Sequence, residues 1–129
     1  MAATYLMDSN VLIDYTGRKF SGVPEQKLDA IFDDAFYFSI ISKMEVLGYN
    51  APAEILQNLS DFLATGEMLN ISDEVANQTI LIRRLLPQIK LPDVIIAASA
   101  LANNHTLLTR NIDDFKNIPG LHLENPWLW

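Results

Sequence analysis

Short apolar runs alternate along this chain with longer segments of helical spacing. The runs of strand length are residues 4–7 (TYLM), 36–41 (FYFSII), 106–109 (TLLT) and 121–123 (LHL). Strands that are continuously apolar and alternate with helices are typical of a parallel sheet that is covered on both faces. The pattern therefore predicts a three-layer α/β/α sandwich with a central parallel sheet.

The segments between the runs predict helices of two kinds. Three of them, PEQKLDAIFDDAF, PAEILQNLSDFL and SDEVANQTILIRRLL, repeat apolar residues on one face and predict amphipathic cover helices. The third begins at Ser72 with an acidic first turn and ends on Arg83 and Arg84, as the helix dipole favours. The segment LPDVIIAASAL (residues 91–101) differs, because a single acid precedes almost nothing but isoleucine and alanine. It predicts a helix buried in the core.

Composition indicates one domain spanning residues 1–129. Half of the 129 residues are hydrophobic, which suffices for one substantial core, and neither a repeat nor a low-complexity linker divides the chain. The start lacks the features of a signal peptide, and no apolar run approaches the ~20 residues that span a bilayer. We therefore expect a cytoplasmic protein without membrane contact. The absence of cysteine excludes disulfides and thiolate metal sites.

The net charge restricts how the chain can meet nucleic acid. Sixteen acids against nine bases give a formal charge of −7, which argues against strong nonspecific attraction to a phosphate backbone. If the acids gather around cations in one pocket, however, the local field there differs from what the net charge suggests. The charge does not exclude an enzyme that acts on nucleic acid.

Acidic residues follow the predicted strands at the places where α/β sheets bind ligands. Asp8 follows the first strand, Glu45 the second, and Asp113 and Asp114 the late strand, while Asp93 begins the buried helix. Ligands of open α/β sheets bind beyond the carboxyl ends of the strands. We expect four of these acids to converge at that edge.

Helix capping explains each acid when it is taken singly. The residues with such an interpretation are Asp8 or Ser9, Asp93, the pair Ser42 and Glu45, and Asp113 or Asp114. The serine and glutamate three residues apart fit a capping box, and the others suit an N-cap or a first turn. Taken singly, a cap is at least as good an explanation as catalysis.

A cluster of four carboxylates requires cations. Two carboxylates ~4 Å apart at an effective dielectric of ~20 repel each other by about 4 kcal/mol. Carboxylate oxygens without sulfur or histidine suit Mg²⁺ or Mn²⁺, which hold phosphate oxygens and activate water. The cluster thus points to hydrolysis of phosphodiesters.

Five segments in order resemble a known family. The motifs YLMDSNVLIDY, ISKMEVLGY, KLPDVIIAASAL, LLTRNIDDF and IPGLHLENPW are similar to those of PIN-domain ribonucleases, most of all the VapC toxins of bacterial toxin–antitoxin systems. The resemblance spans Tyr5 to Trp127. It implies an Mg²⁺- or Mn²⁺-dependent endoribonuclease that cuts RNA, forms a homodimer and is silenced by a cognate antitoxin.

The resemblance also assigns roles to individual residues. It implies catalytic and metal-binding roles for Asp8, Glu45, Asp93 and Asp114, with Asn111 as a supporting metal ligand and Asp113 as the alternative neighbour. The supporting or substrate-contacting residues are Ser9, Asn10, Ser42 and Arg110, and further candidates for RNA contact are Lys43, Arg83, Arg84, Lys90 and Lys116. We expect His105 and His122 to be structural. Trp127 and Trp129 either close the edge of the core or form an apolar patch for a partner.

Three other functions compete with the nuclease. A haloacid-dehalogenase-type phosphatase needs a second aspartate two positions after Asp8, where Asn10 stands. A receiver domain needs paired early acids and a lysine after a late strand, where the chain offers Arg110. The third alternative, from another class, is a catalytically silent PIN-like fold that serves as a binding module.

Overall fold

Short parallel strands form one central sheet in the computed structural model, which describes residues 2–129. The strands are Tyr5–Met7 (β1), Tyr37–Ser39 (β2), Glu67–Leu69 (β3), Thr106–Leu108 (β4) and Leu123–Glu124 (β5). Their order across the sheet is β3-β2-β1-β4-β5, and every neighbouring pair is parallel. The predicted parallel sheet is confirmed.

Helices connect the strands and cover both faces of the sheet. They are Ser9–Thr16 (α1), Gly22–Asp34 (α2), Ile40–Gly48 (α3), Ala53–Leu63 (α4), Asp73–Leu85 (α5), Leu91–Ala102 (α6) and Ile112–Phe115 (α7), followed by a 3-10 helix at Pro126–Leu128. Among residues 2–129, none of the helices has the length and apolar character needed to cross a lipid bilayer.

Alternate residues of the inner strands pack into two separate hydrophobic cores. In β1, Leu6 belongs to the core beneath α5 and α6, whereas Met7 belongs to the core beneath α1, α2 and α4. In β4, Leu107 and Leu108 divide in the same way. This alternation follows from the pleat of a strand, and it confirms the three-layer α/β/α sandwich.

The segment from residue 91 is the buried helix that its composition predicts. In α6, Val94, Ile96 and Ala97 have no exposed surface, and Ala98 and Ala100 are equally buried. Small side chains let the helix lie close to its neighbours, so α6 is held by the core from Val94 onward, directly after Asp93.

Three strands depart from the sequence prediction, among them β5, which begins at Leu123 where the apolar run 121–123 predicts a start at Leu121. The run 36–41 ends as a strand at Ser39, because the Ser39 hydroxyl accepts a hydrogen bond from the Ile41 backbone N–H and caps α3. Strand β3 was not predicted. It lies at the edge of the sheet, and only Met68 and Leu69 in it are apolar, so its sequence carries almost no strand signal.

Candidate active site

The carboxyl ends of β1, β2 and β4 meet at one edge of the sheet and lead directly into helices or a tight loop. Asp8 lies between β1 and α1, and Glu45 lies on α3, which follows β2 without a gap. The Ser9 hydroxyl donates a hydrogen bond of 2.7 Å to Glu45 Oε1, which joins α1 to α3. This bond orients the Glu45 carboxylate, and the supporting role of Ser9 stays a prediction.

Asp8 is a buried carboxylate held by several donors. It is only 5% exposed and it is the N-cap of α1, accepting the Ser9 backbone N–H at Oδ1 (2.8 Å). Its Oδ2 accepts the Thr109 hydroxyl at 2.7 Å and lies 3.4 Å from Asn10 Nδ2. Burial raises the pKa of Asp8 above its ordinary value, and Glu45 and Asp114 add to the rise, while the bonds from Thr109 and Ser9 oppose it.

Thr109 is a site residue that sequence reasoning missed. Its side chain has no exposed surface, donates to Asp8, and accepts the Asn111 backbone N–H at 3.0 Å. Thr109 therefore fixes the carboxylate after β1 to the loop after β4. The sequence signal for Thr109 is a polar residue that closes the apolar run TLLT immediately before Arg110 and Asn111, and this signal does not distinguish a site residue from the last residue of a strand.

The capping-box interpretation of Ser42 and Glu45 is wrong. Helix α3 begins at Ile40 with Ser39 as its cap, so Ser42 lies inside the helix, and Glu45 bonds to Ser9 instead. The Ser42 hydroxyl is buried and has no hydrogen-bond partner within the described part of the chain.

Asp93 lies in the first turn of α6 and shares an electrostatic environment with the other acids. It is half-buried, and burial is the main reason why its pKa rises from 3.8 to about 6. The charges of Asp8, Glu45 and Asp114 raise this pKa further, and Lys90 lowers it. Four carboxylates from four different elements are therefore within electrostatic reach of one another.

The two adjacent acids of α7 differ in their partners. Asp114 raises the pKa of both Asp8 and Asp93. Asp113 is almost fully exposed and pairs with Lys116 at 3.1 Å. Asn111 is the N-cap of α7, yet its side chain makes no capping hydrogen bond.

Arg110 lies beside the acids and is held from two sides. Its Nη2 donates to Asp14 Oδ2 at 2.6 Å, and its guanidinium lies 4.1 Å from the ring centroid of Trp127. Its backbone N–H lies 3.4 Å from Asn10 Oδ1, so the Asn10 amide spans from Asp8 to this loop. Trp127 also packs on Phe20 at 4.5 Å, which places it at the edge of the core.

Comparison with known proteins decides the family. The model of the PIN domain matches residues 5–121 of this chain. The chain belongs to the PIN-domain family. Ribonuclease VapC2 of Rickettsia felis is 58% identical over 33 residues, a match that covers 26% of this chain and about a quarter (25%) of that protein.

Solved structures of toxin–antitoxin complexes share the PIN-domain fold over nearly the whole chain. VapBC2 from Rickettsia felis, bound to a promoter DNA fragment, is 26% identical with a TM-score of 0.81 and covers 95% of this chain and 98% of its own. A toxin–antitoxin complex from Klebsiella pneumoniae is 30% identical with a TM-score of 0.76, covering 97% and 98%. DNA-bound VapBC from Salmonella typhimurium, at 22% identity and a TM-score of 0.83 over 97% and 99%, shows the fold alone.

Three further residues of the PIN domain that the sequence singled out, Arg83, His105 and Trp129, make structural contacts. Arg83 donates to the Ile89 carbonyl at 2.9 Å and closes the turn after α5. His105 bonds to Thr4 through Nδ1 at 2.6 Å and stacks on Tyr37 at 4.2 Å, as expected for a structural histidine. The Trp129 indole donates to Glu124 at 3.1 Å.

The donors of this PIN domain fit a hard divalent cation. Asp8, Glu45, Asp93 and Asp114 all offer carboxylate oxygens, and Asp8 is buried. The ion pairs among residues 2–129 are Arg110–Asp14 and Lys116–Asp113, so none of these four acids forms an ion pair with a basic side chain. Among the described residues, no group of three acids or histidines lies close enough together to hold a metal ion in this structure. Glu45 and Asp114 are exposed, and exposed side chains change rotamer rapidly, so both carboxylates have other positions open to them.

Proposed function

We propose that this PIN domain is an Mg²⁺- or Mn²⁺-dependent endoribonuclease and the toxin of a toxin–antitoxin pair. The observation that carries the proposal is the charge arrangement around Asp8. A buried carboxylate has no basic partner among the described residues and is coupled to three further acids. Such an arrangement is costly by itself and is relieved by a divalent cation.

The proposed metal ligands divide into fixed and adjustable groups. Asp8 and Asp93 are held by a helix cap and by the buried helix α6, and fixed ligands define where an ion binds. Glu45 and Asp114 complete the site, with Asn111 as a supporting ligand. A bound divalent cation supplies positive charge for phosphate oxygens and favours deprotonation of water.

Hydrogen bonds within the chain position the carboxylates of Asp8 and Glu45 for the reaction. Thr109 and the Ser9 backbone N–H keep both oxygens of Asp8 oriented, and the Ser9 hydroxyl keeps Glu45 beside it. The reaction is attack of water on phosphorus with departure of a ribose oxygen. The fixed oxygens of Asp8 lower the barrier of this reaction, because they need little reorganisation.

The comparisons support the proposed partners. The Klebsiella pneumoniae relative is a toxin–antitoxin complex, which supports a protein antitoxin here. A homodimer is also proposed, since Ile80, Leu81 and Leu85 of α5 are large apolar side chains left exposed. Light scattering of wild type and Leu81→Glu tests the dimer, which the glutamate should dissociate. We place the protein in the cytoplasm, where toxin and RNA meet.

Asparagine substitutions separate catalysis from capping. Asparagine caps helices about as well as aspartate, so capping alone predicts that Asp8→Asn and Asp93→Asn are nearly neutral. We expect instead that both abolish Mn²⁺-dependent cleavage of RNA, while stability in EDTA stays level or rises because repulsion is relieved. Asp34→Asn is the matched control, since Asp34 lies beside Tyr5 at the amino end of the sheet.

Two results would contradict the proposal. Full nuclease activity in Asp93→Asn would remove Asp93 from the site. A wild-type protein that binds RNA without cutting it in Mn²⁺ would favour the catalytically silent binding module.

A further inference from the structure

Two recesses lie on either side of α7, which is a single helical turn. Asp113 and Asp114 border both of them, so this turn forms a ridge between the two. The first recess, about 230 Å³, is lined further by Gln88, Ile89, Lys90, Asp93 and Asn117. The second, about 460 Å³, is lined further by Arg110, Asn111, Ile112, Asn125 and Leu128.

Each recess carries one cation. Lys90 in the first is exposed, and no carboxylate of residues 2–129 lies within ion-pair distance of it, although its charge reaches Asp93. Arg110 in the second gives Nη2 to Asp14 and one face to Trp127. Its side chain is 52% exposed, and Nε and Nη1 have no partner in the described chain.

The two cations have different mobility. Lys90 is a point charge on a flexible stem, whereas Arg110 is a planar group held in place by Asp14 and Trp127. A guanidinium held in this way loses little entropy when it binds, and its free nitrogens suit phosphate oxygens. The exposed apolar side chain of Leu128, 81% accessible, adds a surface for a base or a ribose in the second recess.

We propose that a single RNA strand crosses the ridge of α7, with Lys90 contacting a phosphate on one side and Arg110 a phosphate on the other. This inference rests on the proposed function for the identity of the polymer. The phosphate to be cut then lies between the cations, next to Asp93 and Asp114. In a chain of net charge −7, local cations beside the site are needed to attract a phosphate backbone, and a single strand is flexible enough to follow two separate recesses.

The dependence of binding on salt tests the path. The protein is the Asp8→Asn variant of this chain, which the proposed function predicts to bind without cutting. The probe is a fluorescein-labelled single-stranded RNA of mixed sequence, titrated by anisotropy at several salt concentrations. Each phosphate contact to a single strand contributes about 0.7 to the slope of log K against log salt. Lys90→Gln and Arg110→Gln should each reduce the slope by about 0.7, and the double variant by both amounts.

Two further variants serve as controls. Arg110→Lys retains the charge and should keep the parental slope while binding more weakly, because it loses the planar contact with Trp127. Lys19→Gln removes an exposed charge beyond the far end of α1 from Asp8 and should leave slope and affinity unchanged. If Arg110→Gln does not fold by circular dichroism, Lys90→Gln and Arg110→Lys decide the question.

The outcomes distinguish the path from the function. Unchanged slopes in Lys90→Gln and Arg110→Gln, or equal binding of a duplex of the same sequence, would overturn the path even if wild type cuts RNA through Asp93. Reduced slopes would support the path even if wild type fails to cut RNA, a failure that would overturn only the proposed function.

Discussion

At the scale of single residues, one side chain serves both local structure and the proposed chemistry. Asp8 caps α1, as helix-capping rules predict, and its charge also raises the pKa of Asp93. The cap and the metal-ligand interpretations are therefore compatible. The sequence pointed to Asp8 because its position after a strand is visible in the chain, but it did not reveal Thr109, whose role depends on a contact across 101 residues.

Thr109→Val tests this contact with a change of nearly equal shape. Valine leaves an oxygen of buried Asp8 and the Asn111 N–H without their partner, which should destabilise the protein by about 1–3 kcal/mol in urea denaturation. Calorimetric titration should also show weaker Mn²⁺ binding. Thr109→Ser keeps the hydroxyl and should restore most of both properties. Equal Mn²⁺ affinity in the valine variant would show that Thr109 does not position Asp8.

The titration of Asp93 predicts how stability depends on pH in EDTA. Burial and the neighbouring acids raise its pKa from 3.8 to about 6. Between these pH values the carboxyl group of Asp93 is therefore protonated to a larger extent in the folded chain than in the unfolded chain. Stability attributable to Asp93 therefore falls as pH rises from about 4 to about 6. Subtracting the unfolding free energy of Asp93→Asn at each pH cancels groups that do not interact with Asp93, including His105, whose pKa burial lowers; the difference therefore reports Asp93 together with its coupling to Asp8, Glu45 and Asp114. Parallel curves for the two proteins would refute the prediction.

At the scale of elements, long periodic segments were predictable and short edge elements were not. The apolar face of α5 and the alanine-rich α6 follow from spacing alone. Strand β3 depends instead on pairing with β2, where Phe38 lies opposite Met68, and pairing of this kind leaves no mark in a three-residue segment. Helix α3 also begins earlier than a capping box at Ser42 predicts, because the capping serine is Ser39.

Gly66, just before β3, tests how tightly this edge is packed. A Cβ there would lie 2.5 Å from the ring of Phe36, which is 2% exposed and packed against Phe32 and Phe62. We expect Gly66→Ala to destabilise the protein by about 1–3 kcal/mol in chemical denaturation, because the ring has little room to move. Gly48→Ala in α3, where a Cβ meets nothing within 4 Å, should be neutral or slightly stabilising. Equal effects of the two substitutions would show that the Phe36 ring adjusts freely.

At the scale of the whole molecule, two cores fix the sheet, and the sheet gathers the acids at one edge. Leu6 and Met7 anchor β1 to opposite layers, which leaves Asp8 directly beyond the last anchored residue. Fold class and the edge of the site were therefore predictable from the apolar runs. The distances among the acids could not be predicted from the sequence, because they depend on side-chain rotamers that an ion can change.

A divalent cation should therefore stabilise the entire fold. An ion that binds only the folded state adds about 2.7 kcal/mol at one hundred times its dissociation constant, so Mn²⁺ should raise the thermal midpoint of the wild type in a concentration-dependent way. The double variant Asp8→Asn/Asp93→Asn should begin with equal or higher stability in EDTA and gain nothing from Mn²⁺. Asp34→Asn, at the other end of the sheet, should respond like the wild type. An equal rise of the thermal midpoint in the double variant would mean that Mn²⁺ binds the protein at a different site. The proximity of the negative charges of Asp8 and Asp93 would then need an explanation other than metal binding.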